Sequence, residues 1–127
     1  MTKLLIIGLG GFIGAILRYG LSGAIQSASR SISFPFGTLG VNVIGCFFIG
    51  LFSFLVETRG LFTPELRLFL AIGLLGSLTT YSTFGNETLE LMRNSAFILA
   101  AANIGAHIFI GVTAVWCGRA MAHGLWG

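Results

Sequence analysis

The chain has 127 residues, of which 55% are hydrophobic and only 9% charged, with a formal net charge of +3 at pH 7. A soluble domain carries about 25% charged residues, so this chain has too little charge to cover a water-facing surface, and its solvent is lipid. The seven basic residues are scattered and form no stripe, which gives no support to nucleic acid as a partner.

The first hydrophobic run extends from Leu4 to about Ile25. Lys3 ahead of it resembles the start of a signal peptide. The run is long, however, and equally apolar runs follow, so cleavage is not expected. Gly10 and Gly14 form a GxxxG pair, which lets helices approach closely. The surrounding "GLGGFIG" is not a dinucleotide loop, because the third glycine is misplaced and no strand precedes it. Arg18, near the far end of this run, is either a cation that draws anions to a vestibule or a side chain that snorkels to the interface.

The second run extends from Gly37 to about Val56. Thr38 and Asn42 are four apart and share a helix face, which Gly45 and Ile49 continue. The links "QSASRSISFPF" and "ETRGLFTP" hold polar residues and both prolines, as loops do.

The third segment, about Glu65 to Met92, is different. A bilayer core needs about 20 helical residues to cross, and the apolar part, Leu66 to Leu75, is too short. The whole segment, at about 1.5 Å per residue, is longer than the membrane needs. We read it as one spanning element made of two short helices with a break between them. The break is the run from Ser77 to Thr83, in which only Leu78 lacks a hydroxyl. Irregular backbone at membrane depth survives only when buried in protein or lining a watery cavity. Broken membrane helices offer carbonyls and helix ends to ions, so this run is a candidate ion site. The alternative is a kinked helix whose Ser and Thr side chains bond back to the preceding turn. Glu87 lies past the break and is interfacial, paired or functional.

The fourth run extends from about Ala96 to Ala122. Asn103 and His107 share a face there, with Gly111 next in the row. Polar groups in hydrocarbon face the bundle interior or water. Either polar stripe alone is explained by hydrogen bonding between helices; two stripes together with the break favour a lined pathway. Cys46 and Cys117 lie inside apolar runs and are read as small buried residues, not as a disulfide. No HExxH, GxSxG, cysteine pair or carboxylate pair is present, so no enzyme is expected.

The expectation is an all-α membrane protein: four transmembrane helices with a break in the third, in a single domain over residues 1–127. Four spans place both termini on one side, with Lys3, Arg59, Arg67 and Arg119. Arg18, Arg30 and Arg93 fall on the other. This is a weak positive-inside bias. Either the chain inserts both ways round, so that two copies form an inverted pair, or the loop ends lie elsewhere and restore a bias.

Three motifs in order resemble those of the Fluc (CrcB-type) fluoride channels: "GGFIGAILRY" at 10–19, "FGTLGVNVIG" at 36–45 and "GLLGSLTTYSTFGNETLEL" at 73–91. The resemblance covers nearly the whole chain. It implies an antiparallel, dual-topology homodimer in the bacterial plasma or inner membrane, with two fluoride pores and a structural sodium ion at the dimer interface. By position, the sodium would be held by the backbone carbonyls of Gly76 and Thr79 from both subunits. The ion pathway would use Thr38, Asn42, Ser82 and the rings Tyr81 and Phe84, with Arg18 at the vestibule; the polar stripe of the fourth helix adds Asn103 and His107. Tyr81 stands where a phenylalanine is usual. Asn103, His107 and Gly111 fall where relatives often carry tyrosine or serine, and Ser77 replaces a frequent glycine.

The function this implies is passive export of cytoplasmic fluoride, with fluoride, membrane lipid and a second copy of the chain as partners. Two rivals remain. A small dual-topology multidrug exporter needs an intramembrane carboxylate, which the first helix lacks. A structural or accessory membrane subunit would use its polar stripes only to join helices.

Overall fold

The computed structural model describes all residues 1–127, and its elements are all helical. Helix α1 spans Thr2–Ser29, α2 Phe36–Arg59 and α5 Phe97–Trp126. The third span, Pro64–Arg93, consists of α3, residues 64–78, and α4, Tyr81–Arg93. Within α3, Pro64–Arg67 is α-helical, Leu68–Leu75 is π-helical, and Gly76–Leu78 is α-helical again. All four spans are long and apolar enough to cross a membrane.

The first and last helices run four residues beyond their expected ends, to Ser29 and Trp126. The 28 residues of α1 reach about 42 Å at the α-helical rise. A hydrocarbon core is about 30 Å thick, so the polar residues from Gln26 to Ser29 stay helical where water and headgroups begin. Gln26 then organises the link to α2. Its Nε2 donates to Ser31 O at 2.7 Å and Phe34 O at 3.1 Å, and its Oε1 accepts from Gly37 N at 2.9 Å. Thr63 caps α3, its hydroxyl oxygen accepting from Leu66 N at 3.3 Å with Pro64 at the first helical position.

The helices pack as two parallel pairs. Gly10 and Gly14 of α1 lie against the backbone of α3: a Cβ on Gly10 would stand 2.5 Å from Phe69 O, and one on Gly14 would strike Leu74 O. Helices α2 and α5 touch along their length. Gly50 faces the backbone of Val115, and Gly118 faces Phe47 O and Leu51 N. Near the ends, Arg119 grips Glu57 with contacts of 2.7 and 3.3 Å, and the Arg59 guanidinium donates to Trp126 O. Helix α2 runs antiparallel to α1, with Gly37 against Ser22 and Gly40 against Ile25. The GxxxG pair is therefore used inside the chain.

Only 20 of 127 residues are buried, so most of the apolar surface is left for lipid or for another protein. Phe12, Phe109 and Trp116 are among the large side chains facing outward. Cys46 and Cys117 are free thiols; Cys46 is half-buried, and Cys117 is exposed rather than buried, in an open groove between α5 and Phe47 and Phe48 of α2.

The close α2–α5 contact yields a direct test. Gly118→Val forces a side chain into the backbone of α2, and overpacking of this kind costs about 1–3 kcal/mol or more. A Cβ at Gly124 meets nothing within 4 Å. Unfolding of the purified variants in detergent should show Gly118→Val strongly destabilised and Gly124→Ala close to wild type.

Candidate functional site

The break in the third span is only two residues long. Thr79 (φ −84, ψ 154) and Thr80 (φ −149, ψ 112) are extended. Ser77 and Leu78 still belong to α3, while Tyr81, Ser82 and Thr83 already belong to α4. The expected break over Ser77–Thr83 is thus corrected to its middle. The reason is local satisfaction of the hydroxyls. Thr79 Oγ1 donates to Leu75 O at 3.1 Å, a back-bond compatible with a helix end. Thr80 Oγ1 caps α4, accepting from Thr83 N at 3.3 Å and donating to Thr83 Oγ1 at 2.9 Å.

The main chain at Thr80 is held from α2. Asn42 Nδ2 donates to Thr80 O at 3.1 Å, and Asn42 Oδ1 accepts from Thr80 N at 2.8 Å. An amide side chain has both donors and an acceptor, so one residue satisfies both polar groups of an extended residue. In a continuous α-helix the Thr80 N–H would bond Gly76 O; here it is diverted to Asn42. Because Thr80 is extended, the Thr79 carbonyl points opposite to that of Thr80, which faces α2. Gly45, one turn on from Asn42, lets the break come close, since a Cβ there would collide with Thr79 Cγ2.

Beside the break lies a groove of about 820 Å³, with Asn42 on one wall and Gly76, Thr79 and Thr80 along its floor. Tyr81, Phe84 and Thr88 of α4 and His107 of α5 also line it, among apolar neighbours such as Ile49, Leu75 and Ile104. The rings form a row: Tyr81 to Phe84 is 5.5 Å between centroids, and Phe84 to His107 is 4.2 Å. Tyr81 is 84% exposed, so its hydroxyl faces away from the packed part of the chain.

Four predicted residues lie off this groove. Thr38 is buried behind it, its hydroxyl donating to Glu87 Oε1 at 2.6 Å. Asn103 is fully buried; its Nδ2 donates to Thr88 Oγ1 at 2.9 Å, and Thr88 Oγ1 donates to Phe84 O at 2.7 Å. Ser82 is exposed, its Oγ 3.4 Å from Thr80 Oγ1. Arg18 is half-buried on α1, has no ion pair within the chain, and does not line the groove. Glu87, left open by the sequence, is the residue that reading missed: it pairs with Thr38 through Oε1, while Oε2 is buried without a partner. The signal available was a carboxylate within a span too apolar to hold it unpaired. Gly111 faces α2, where a Cβ would sit 3.6 Å from Cys46 Sγ.

Comparison with known proteins adds independent findings. A family model described as "CrcB-like protein, Camphor Resistance (CrcB)" matches residues 5–119. "Fluoride-specific ion channel FluC 1" of Methanosarcina acetivorans is 47% identical over 122 residues, covering 96% of this chain and 92% of the relative. "Fluoride-specific ion channel FluC 3" of Methanosarcina barkeri is 43% identical over 125 residues, covering 98% and 93%. A "Fluoride-specific ion channel FluC" of Elusimicrobium minutum is 41% identical over 118 residues, covering 93% and 91%.

The bidentate contact predicts a steep dependence on Asn42. Asn42→Leu leaves the Thr80 N–H and C=O without partners, and an unsatisfied buried group costs about 1–3 kcal/mol. Purified Asn42→Leu should unfold at clearly lower denaturant concentration than wild type. Ser82→Ala removes only an exposed hydroxyl and should unfold with wild type.

Proposed function

The chain belongs to the CrcB-like family, and from that premise we infer its function: it is a fluoride-specific ion channel, a multi-pass protein of the cell membrane and not an enzyme. Fluoride enters cells as HF, ionises inside and is trapped as the anion. A passive channel lets it leave down its gradient.

The observation that carries the mechanism is the grouping of Asn42, Tyr81, Phe84 and His107 around one groove beside the break. Aromatic ring edges carry partial positive charge. A small, hard anion losing water is stabilised by such edges together with hydroxyl and amide donors. Phe84, with Tyr81 at 5.5 Å and His107 at 4.2 Å, is the central ring of the proposed path. Thr38 and Asn103 act from behind the wall: Thr38 holds Glu87, and Asn103 holds Thr88, which in turn bonds the carbonyl of Phe84. Ser82 supplies a hydroxyl at the exposed side of α4, and Arg18 draws anions toward a vestibule.

The working unit in this reading is an antiparallel homodimer with dual topology. Two observations support it. The basic residues divide almost evenly between the two ends, and the groove side of the chain is open, with Gly76 and Tyr81 exposed. The carbonyls of Gly76 and Thr79 suit a structural sodium ion shared with the partner subunit. Carbonyl oxygens are hard donors, the ligand type that hard cations select. The Thr80 N–H is diverted from Gly76 O, and the Thr79 carbonyl is turned away from α2, which leaves both oxygens for such a role. When bound, sodium supplies positive charge that fixes the two breaks against each other.

Fluoride efflux from liposomes tests the ring row. Phe84→Ile removes the polarised edge and should bring efflux down to the protein-free baseline, whereas Tyr81→Phe, which keeps the edge and loses a hydroxyl with no partner inside the chain, should preserve it. Full efflux from Phe84→Ile would remove the ring-edge mechanism.

Orientation is tested separately. A single Thr2→Cys label in a background lacking Cys46 and Cys117 should react with impermeant reagent from both sides of the membrane. Labelling from one side alone would exclude the antiparallel dimer.

A further inference from the structure

His107 is the one titratable imidazole in the groove; His123, the other histidine, sits near the end of α5 with its ring 5.6 Å from that of Phe54. The His107 ring is held in one orientation. Its Nδ1 lies 2.9 Å from Asn103 O. A carbonyl oxygen only accepts, so Nδ1 carries the proton. In the neutral ring Nε2 is then a bare lone pair, and it is buried with no partner. Against the ring lies Phe84, at 4.2 Å. An acceptor lone pair on a ring beside Phe84 offers nothing to an anion.

Resting on the channel reading above, we propose that His107 is a proton-controlled anion donor, so that fluoride conduction rises when the Nε2 position is protonated. Protonation turns Nε2 from acceptor to donor and adds a positive charge beside the path. Few groups are placed to neutralise that charge. From α2, Asn42 and Cys46 line the same groove; from α4, Tyr81, Phe84 and Thr88 do. None is a carboxylate. Glu87 of α4 is bonded to Thr38 through Oε1, its buried Oε2 makes no hydrogen bond to the His107 ring, and it is not part of the groove wall. Glu90 pairs with Arg93, and Glu57 of α2 with Arg119 of α5. A small anion in the groove is therefore the partner for the protonated ring. By reciprocity, the anion favours the protonated ring as much as the proton favours anion binding.

Two measurements test this. The first is fluoride current through the purified protein in planar bilayers, taken from about pH 8 to about pH 5, a range that extends below the point where an exposed imidazole changes charge. Neutral HF carries no current, so it does not contribute. The wild-type current should rise several-fold as pH falls, and His107→Gln, which cannot titrate, should lose that rise. A wild-type current independent of pH, or an unchanged pH response in His107→Gln, overturns the inference and leaves the channel reading intact. No fluoride current at any pH overturns the channel reading and this inference with it. The second measurement needs no change at His107. In a His123→Asn background, adding fluoride at fixed pH should move the His107 ring resonances toward their protonated positions. Resonances that do not respond to fluoride overturn the coupling.

Discussion

The two hydrogen bonds between Asn42 and Thr80 are the contact on which the rest of the site depends. A helix in lipid cannot break without leaving backbone groups unpaired, and each such group is costly where no water reaches it. Here α2 provides the replacement partner. One amide takes both the N–H and the C=O of the extended residue, at a point where Gly45 lets the two chains approach. The same diversion takes the Thr80 N–H away from Gly76 and turns the Thr79 carbonyl outward. The exposed carbonyls of the break and the start of the groove beside it thus follow from one side-chain contact.

The rest of the fold keeps Asn42 at that point. Small residues on α1 let α3 lie directly against it, and Gly50 and Gly118 bring α2 and α5 into backbone contact. With little hydrophobic driving force between helices in lipid, such close packing supplies much of the association. Helix α5 in turn carries Asn103 and His107 to Thr88 and Phe84. Buried polar pairs therefore tie the second half of the broken span to α5 on one side and, through Glu87 and Thr38, to α2 on the other. This arrangement fixes the Phe84 ring while leaving its groove face open.

Sequence alone made the four spans legible, because each is a long apolar run bounded by polar residues. Their ends were placed short: Gln26 to Ser29 are polar or small, and His123 and Gly124 interrupt the last apolar run before Leu125 and Trp126, yet both stretches remain helical. The break was located correctly but drawn too wide over Ser77–Thr83. Hydroxyls can end a helix or serve inside one, and only their partners decide which. Thr80 breaks the helix because Asn42, 38 residues away, takes its backbone; no local pattern carries that information. The face shared by Thr38 and Asn42 was readable from spacing, but their separate duties were not, because Glu87 and Thr80 are joined to them only in three dimensions. The π-helical stretch Leu68–Leu75 had no sequence signal either: its widened turn is a matter of backbone register, and "LFLAIGLL" reads equally well as an ordinary helix.

Amide hydrogen exchange at Thr80 measures the central contact most directly. Thr80 lies outside any helix, so its N–H has no helical acceptor and owes its protection to Asn42 Oδ1. The account predicts slow exchange at Thr80 in the wild-type protein in lipid nanodiscs, and fast exchange at Thr80 in Asn42→Ala while the amides in the middle of α2 and α5 stay protected. Fast exchange at Thr80 in wild type, or equal protection in Asn42→Ala, would contradict it.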